Sequence, residues 1–100
     1  MRTLIQVELD TAASNQLMAE GRIGDLMGKT LEQLKPEAAY FFPLNGHRAM
    51  FLVVDLADEA ALVTSVEPFW TQANAKVTMV PCMNAEDLTT GIGRFLAGQA

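Results

Sequence analysis

Ala38-Ala39-Tyr40-Phe41-Phe42-Pro43-Leu44-Asn45-Gly46-His47-Arg48-Ala49-Met50-Phe51-Leu52-Val53-Val54 decides the fold. Its centre, Asn45-Gly46, is the pair favoured in two-residue hairpin turns of type I′, where both central residues need positive φ. The flanks, 38–44 and 48–56, are rich in aromatic and β-branched residues and read as paired strands. Pro43 cannot donate to a ladder, which suggests an edge position or a bulge for the first of them. The second is apolar at every position from Ala49 to Val54. A strand that is apolar at every position needs cover on both faces.

Working outward, residues 2–10 alternate, with Ile5, Val7 and Leu9 set against Gln6 and Glu8, and read as another strand. Asp10-Thr11 offers N-cap chemistry, and a helical region follows over about 11–35. Gly21 and Gly24 predict a break within it, since each glycine in a helix costs about 1 kcal/mol. Pro36 ends it, because the residue before a proline avoids the α region. After the hairpin, Asp58 caps a helix over about 59–67, which Pro68 is expected to interrupt, leaving Phe69-Trp70 as a turn or a short second helix. Residues 76–82 read as the fourth strand. Asn84, followed three positions later by Asp87, resembles a capping box and opens a last helix carrying Leu88, Ile92, Phe95 and Leu96. The order is βαββαβ plus a C-terminal helix. That predicts a single α+β domain over residues 1–100, ferredoxin-like, with a four-stranded antiparallel sheet.

Composition narrows the function classes. Half of the 100 residues are apolar, 19% are charged and the net charge is −5. The seven basic residues are scattered and form no stripe, which argues against nucleic acid. No apolar run approaches the ~20 residues of a membrane span, and Glu8 and Asp10 break any apolar core of a signal peptide, so the expected location is cytoplasmic. Cys82 and His47 are the only residues of their kinds. One chain therefore supplies neither an internal disulfide nor a Cys/His zinc site, and no cofactor is expected.

A domain of this size buries only about two-thirds of its unfolded surface, yet the apolar excess gathers on both faces of the two hairpin strands. Helices cover one face of such a sheet. The simplest cover for the other is a second copy, so the expectation is a homodimer packed sheet against sheet. An uncovered apolar face is otherwise an aggregation hazard.

The element order resembles the dimeric α/β-barrel superfamily over nearly the whole chain. The stretch from Pro68-Phe69-Trp70 to Val77-Thr78-Met79-Val80-Pro81 is distantly similar to muconolactone-isomerase-like members. Pro36-Glu37-Ala38-Ala39-Tyr40-Phe41, Gly46 with Arg48, Glu67-Pro68-Phe69, and Pro81 followed by Met83-Asn84 and Asp87-Leu88 resemble more closely a family of roughly 100-residue bacterial proteins without an assigned activity. The resemblance implies the dimeric barrel fold. It implies no reaction, because the catalytic residues of the enzyme members find no matching positions.

Several residues are candidates for chemistry, each with a plainer reading beside it. His47 offers a general base, or simple exposure at a hairpin tip. Glu67, beside Phe69-Trp70, offers an acid or base if buried against the rings, or a surface carboxylate at a helix end. Arg48 offers a planar clamp for an anion, or a rim salt bridge. Tyr40 offers a hydroxyl to a ligand, or a core phenol with its hydroxyl satisfied. Gly21, Gly24 and Gly28 are expected on the inward face of the first helical region, giving either close packing or room for an apolar guest. In the superfamily that this chain resembles, small molecules often bind between helix and sheet. Asn15 reaches into the same space, and Phe69 and Trp70 would line its wall. Cys82, without a basic neighbour in sequence, reads as an inert buried thiol, and the methionines read as core fillers. The expected function is a homodimeric binder of a small, mostly apolar metabolite, with cofactor-independent isomerase or oxygenase chemistry resting on Glu67 and His47. The alternative is a non-catalytic module for dimerisation or ligand sequestration.

Overall fold

A computed structural model describes residues 1–99. Strand β1 (Arg2–Glu8) is followed by helices α1 (Thr11–Ala19) and α2 (Ile23–Leu34), the hairpin β2 (Ala38–Leu44) and β3 (His47–Asp55), helix α3 (Ala60–Ala73), strand β4 (Lys76–Pro81) and helix α4 (Ala85–Gly98). The strands form one antiparallel sheet in the order β2-β3-β1-β4. It is an α+β fold whose order and connectivity are compatible with the ferredoxin-like arrangement. The sheet does not close on itself, and β2 and β4 are its edges.

Alternation along β1 sends Thr3, Ile5 and Val7 to one face, and Leu9 continues that side. Register aligns them with Val54, Leu52 and Met50 on β3, and with Met79 and Val77 on β4. Against this face pack Leu17 of α1, Leu26 of α2, and Val66, Phe69 and Ala73 of α3, which close the hydrophobic core. The hairpin turns as expected, with Asn45 and Gly46 both at positive φ, and Pro43 sits on the edge strand. Asp10 caps α1 by accepting the Ala13 N–H at 2.9 Å, and Asp58 accepts the Ala61 N–H at 3.0 Å at the start of α3.

Two expectations are corrected. Pro68 does not interrupt its helix, since α3 runs on from Ala60 to Ala73. The proline leaves the Thr64 carbonyl without its helical donor, but Thr64 is exposed and solvent can take up that carbonyl. Burial of Val66 and Phe69 on one side, with Ala73 one turn on, keeps the helix continuous past the proline. The second correction concerns the glycines. The break expected near Gly21 is present, with Gly21 at φ +68°, and it resets the helical phase. The inward side of α2 is Leu26 and Thr30 with Ile23, Met27 and Leu34, while Gly24 and Gly28 are exposed. A Cβ at either glycine would meet nothing within 4 Å.

The second sheet face has no helix on it. Its rows run Val80–Leu4–Val53–Ala38, then Thr78–Gln6–Phe51–Tyr40, then Lys76–Glu8–Ala49–Phe42. Tyr40 and Phe42 flank Phe51, with ring centroids 5.2 and 5.9 Å from it. The apolar character expected on both faces of β2 and β3 is therefore present, and one of those faces is open. α4 does not cover it, because none of its residues is buried. The radius of gyration is 16.4 Å, with extents of 61 × 27 × 18 Å, against about 13 Å for a compact chain of this length. A 14-residue helix is about 21 Å long, enough to account for the elongation.

Candidate functional site

The strongest candidate lies on the helix side of the sheet, at the turn end of the β2–β3 hairpin. A cavity of about 460 Å³ opens there between the hairpin and the first half of α2. Ile23 and Met27 form its helical wall, and Phe41, Pro43 and Met50 form its strand wall, with Leu9 also in contact. The lining is mostly apolar, and the charged or ionisable side chains on it are those of His47 and Arg48.

Arg48 is positioned by the start of α1. Its Nη1 donates to Ser14 Oγ at 2.7 Å and to Asn15 Oδ1 at 2.9 Å. Ser14 is fully buried and its hydroxyl also donates to the Thr11 carbonyl at 3.3 Å. Thr11 Oγ1 stands 3.1 Å from His47 Nδ1. Thr11, Ser14 and Asn15 can all serve the hairpin because residues three and four apart share a helix face. Among the described residues, Arg48 is in no salt bridge. Both anchors are neutral oxygens, so a full positive charge stands at the wall of an apolar hollow without a carboxylate to balance it. Its remaining N–H groups suit a carboxylate or another planar anion.

The structure thus brings together three of the residues singled out from sequence. His47 and Arg48 line the cavity, and Asn15 holds Arg48. The others lie elsewhere. Tyr40 is 61% exposed on the open sheet face, the opposite side from the cavity. Glu67 and Trp70 are exposed on α3 and Phe69 is in the core at 1% exposure, and none of them lines the cavity. Gly24, on the outer side of α2, does not line it either. Ser14 and Thr11 were not singled out, although their i, i+3 spacing next to Asn15 was readable. Among the described residues, no three His, Cys, Asp or Glu side chains stand together as a metal site would require, and no helix is long and apolar enough to cross a membrane.

A second group of polar residues sits at the far end of the sheet. Arg2 Nε donates to Glu37 and its Nη1 donates to Asp87 Oδ2 at 2.8 Å. The hydrogen bond that Arg2 donates to Glu37, followed by the charges of Glu37 and Asp87, holds the Arg2 guanidinium above its ordinary range. Cys82 is half-buried close by, with its N–H donating to the Arg2 carbonyl at 3.1 Å. The expectation of a buried thiol is therefore corrected, and strand pairing supplies the basic neighbour that the local sequence lacks.

No family model matches this chain, and no curated protein matches it in sequence.

Proposed function

We propose that this chain is a homodimeric binder of a small, mostly apolar metabolite that carries an acidic group. The ligand's apolar body would occupy the cavity between α2 and the hairpin, and its acid would meet Arg48. The observation that carries the reading is Arg48 itself, a cation oriented by Ser14 and Asn15 on the wall of an apolar hollow of about 460 Å³. That volume falls within the ~300–1,000 Å³ of small-molecule sites. The homodimer is supported by the open apolar sheet face around Phe51, and the strand order supports membership of the dimeric α/β-barrel superfamily. Binding is preferred to acid–base catalysis because Glu67 stands outside the cavity that His47 lines.

The test is native mass spectrometry of freshly purified protein for a co-purifying small molecule, paired with amide NMR titrations using octanoate and, as control, octanol. Saturable shifts at Met27, Gly46 and Arg48 with a clear preference for octanoate are expected. Equal response to the acid and the alcohol, or no saturable response to either, would refute the reading.

A further inference from the structure

Two apolar surfaces of this chain have no partner within it. One is the open sheet face. The other is a stripe on α4 formed by Leu88, Ile92, Phe95 and Leu96, each between 49% and 65% exposed. Their spacing of i, i+4, i+7 and i+8 places them on a single helical face. An amphipathic helix of this length is marginal in water without a surface to pack on.

α4 is nevertheless built and aimed. Asn84 and Asp87 form a reciprocal capping box, at 2.8 and 3.1 Å. Asp87 is also tied to Arg2, which rises from the same sheet face as Leu4. The segment Cys82–Asn84 lines a hollow with Leu4, Ala38 and Val53, so the helix sets out from the open side of the sheet at the end bearing its first row. From that fixed base it runs on without burying a residue. The clamp specifies a direction, and the direction leads away from the chain's own core.

We infer that α4 is an exchanged arm, lying along the open sheet face of a second copy while that copy's α4 lies along the first. This rests on the homodimer reading above and sets the partner's α4, in place of the partner's sheet, against each open face. Contact of this kind is self-complementary, since helix meets sheet twice across one two-fold axis. The area is adequate. Taking ~200 Å² for a large apolar side chain laid bare, inside the ~150–250 Å² that an aromatic one buries, the α4 stripe offers about 450 Å². The sheet face offers less, at most about 350 Å² on the same basis, since Tyr40 and Val80 are exposed while Phe42 and Phe51 are partly buried. Two such contacts bury up to about 1,600 Å², within the ~1,200–2,000 Å² of stable interfaces. Charge argues against a lipid surface as the occupant. α4 carries Glu86 and Asp87 against Arg94 alone, and the chain's net charge is −5, whereas helices that lie on membranes have polar faces rich in Lys and Arg.

The experiment measures mass by light scattering and dimer dissociation by sedimentation, for the wild type and for the double substitution Ile92→Glu with Phe95→Glu. Both positions are exposed and contact no core, so far-UV circular dichroism should retain the sheet and α1 to α3. In parallel, a photo-crosslinking benzoylphenylalanine replaces Phe95. The expected results are a wild-type mass of twice the chain, dimerisation at least tenfold weaker in the double variant, and a crosslinked product of dimer mass joined to the strands. A monomeric wild type would overturn both this inference and the homodimer reading. A wild-type dimer that the double variant leaves undiminished, or a crosslink confined to one chain, would overturn the arm alone. Co-sedimentation of α4 with phosphatidylglycerol vesicles in place of self-association would overturn it as well.

Discussion

Replacing Arg48 with Met tests the candidate site most directly. Methionine keeps an unbranched stem of similar reach against the apolar wall and removes the charge. A hydrogen bond to a charged group is worth about 1.5–3 kcal/mol, and each 1.4 kcal/mol is about tenfold in affinity. The full range would be about 10- to 150-fold. Arg48 is exposed, and solvent screening weakens exposed ion pairs, so a loss of about tenfold for octanoate is expected, with octanol unchanged. Folding should scarcely respond. Nη1 of Arg48 serves Ser14 and Asn15, but the buried Ser14 hydroxyl keeps its bond to the Thr11 carbonyl and is not orphaned. Isothermal titration of both probes against wild type and Arg48→Met, with urea unfolding of each, separates the effects. Octanoate affinity unchanged within twofold would refute the assignment of Arg48 as the anion contact. So would equal losses for octanoate and octanol, which would mean that the substitution damaged the cavity wall.

Phe69→Ala should lower stability by about 3–5 kcal/mol in urea unfolding, as for a large aromatic removed from a closed core; a loss below about 1 kcal/mol would mean that Phe69 faces open space instead of Val66 and the sheet. Asp87→Ala removes one half of the capping box and the Arg2 contact. Loss of such a cap is worth about 0.5–2 kcal/mol, and because α4 buries no residue within its own chain, the effect should show as faster amide exchange in its first turn with exchange in β1 and β3 unchanged. The Glu20 carboxyl is held below its ordinary range, first by the Gln16 amide and then by Arg22. Its small contribution is therefore present above the unfolded pKa and lost as pH falls through the lower folded value; a carboxyl ¹³C titration of Glu20 with a midpoint at or above that of a free glutamate would contradict this.

What was readable in the sequence divides along the range of the interactions involved. The hairpin was legible because turn chemistry at Asn45-Gly46 and the flanking strand residues are local, and the caps at Asp10 and Asn84 for the same reason. Pro68 misled because the local penalty of a proline is real, while the burial that outweighs it, Val66 and Phe69 against the sheet, is tertiary. Gly24 misled because a periodicity followed across the Gly21 break carries the wrong phase into α2. Arg48 was singled out for the geometry of its side chain, but the groups that orient it lie 33 and 34 positions earlier, and only the packing of α1 beside β3 brings them near. The stripe on α4 was visible as an amphipathic pattern. Such a pattern states that a face requires cover and carries no information about which surface supplies it.

The run from Ala49 to Val54 has two consequences that strand geometry keeps apart. Successive side chains point to opposite faces, so Met50, Leu52 and Val54 enter the core with Ile5 and Val7, while Ala49, Phe51 and Val53 enter the open face with Leu4 and Tyr40. Arg48 belongs to the first set and stands at its ligand end. From Met50 to Val54, a substitution at an even position of β3 therefore addresses the cavity or the core, and one at an odd position addresses the proposed contact between copies. If a single strand serves both, ligand binding and association are separable by mutation yet mechanically joined through β3. Covering Phe51 and Tyr40 would restrain the free edge strand β2, whose Phe41 and Pro43 form the cavity wall. By linkage, a dimer that holds this wall in its binding shape must itself be tightened by ligand. Saturating octanoate, one molecule per copy, should then lower the dimer dissociation constant by the square of the factor by which dimerisation raises each site's octanoate affinity, and factors of one in both measurements would show that the two faces of β3 act independently.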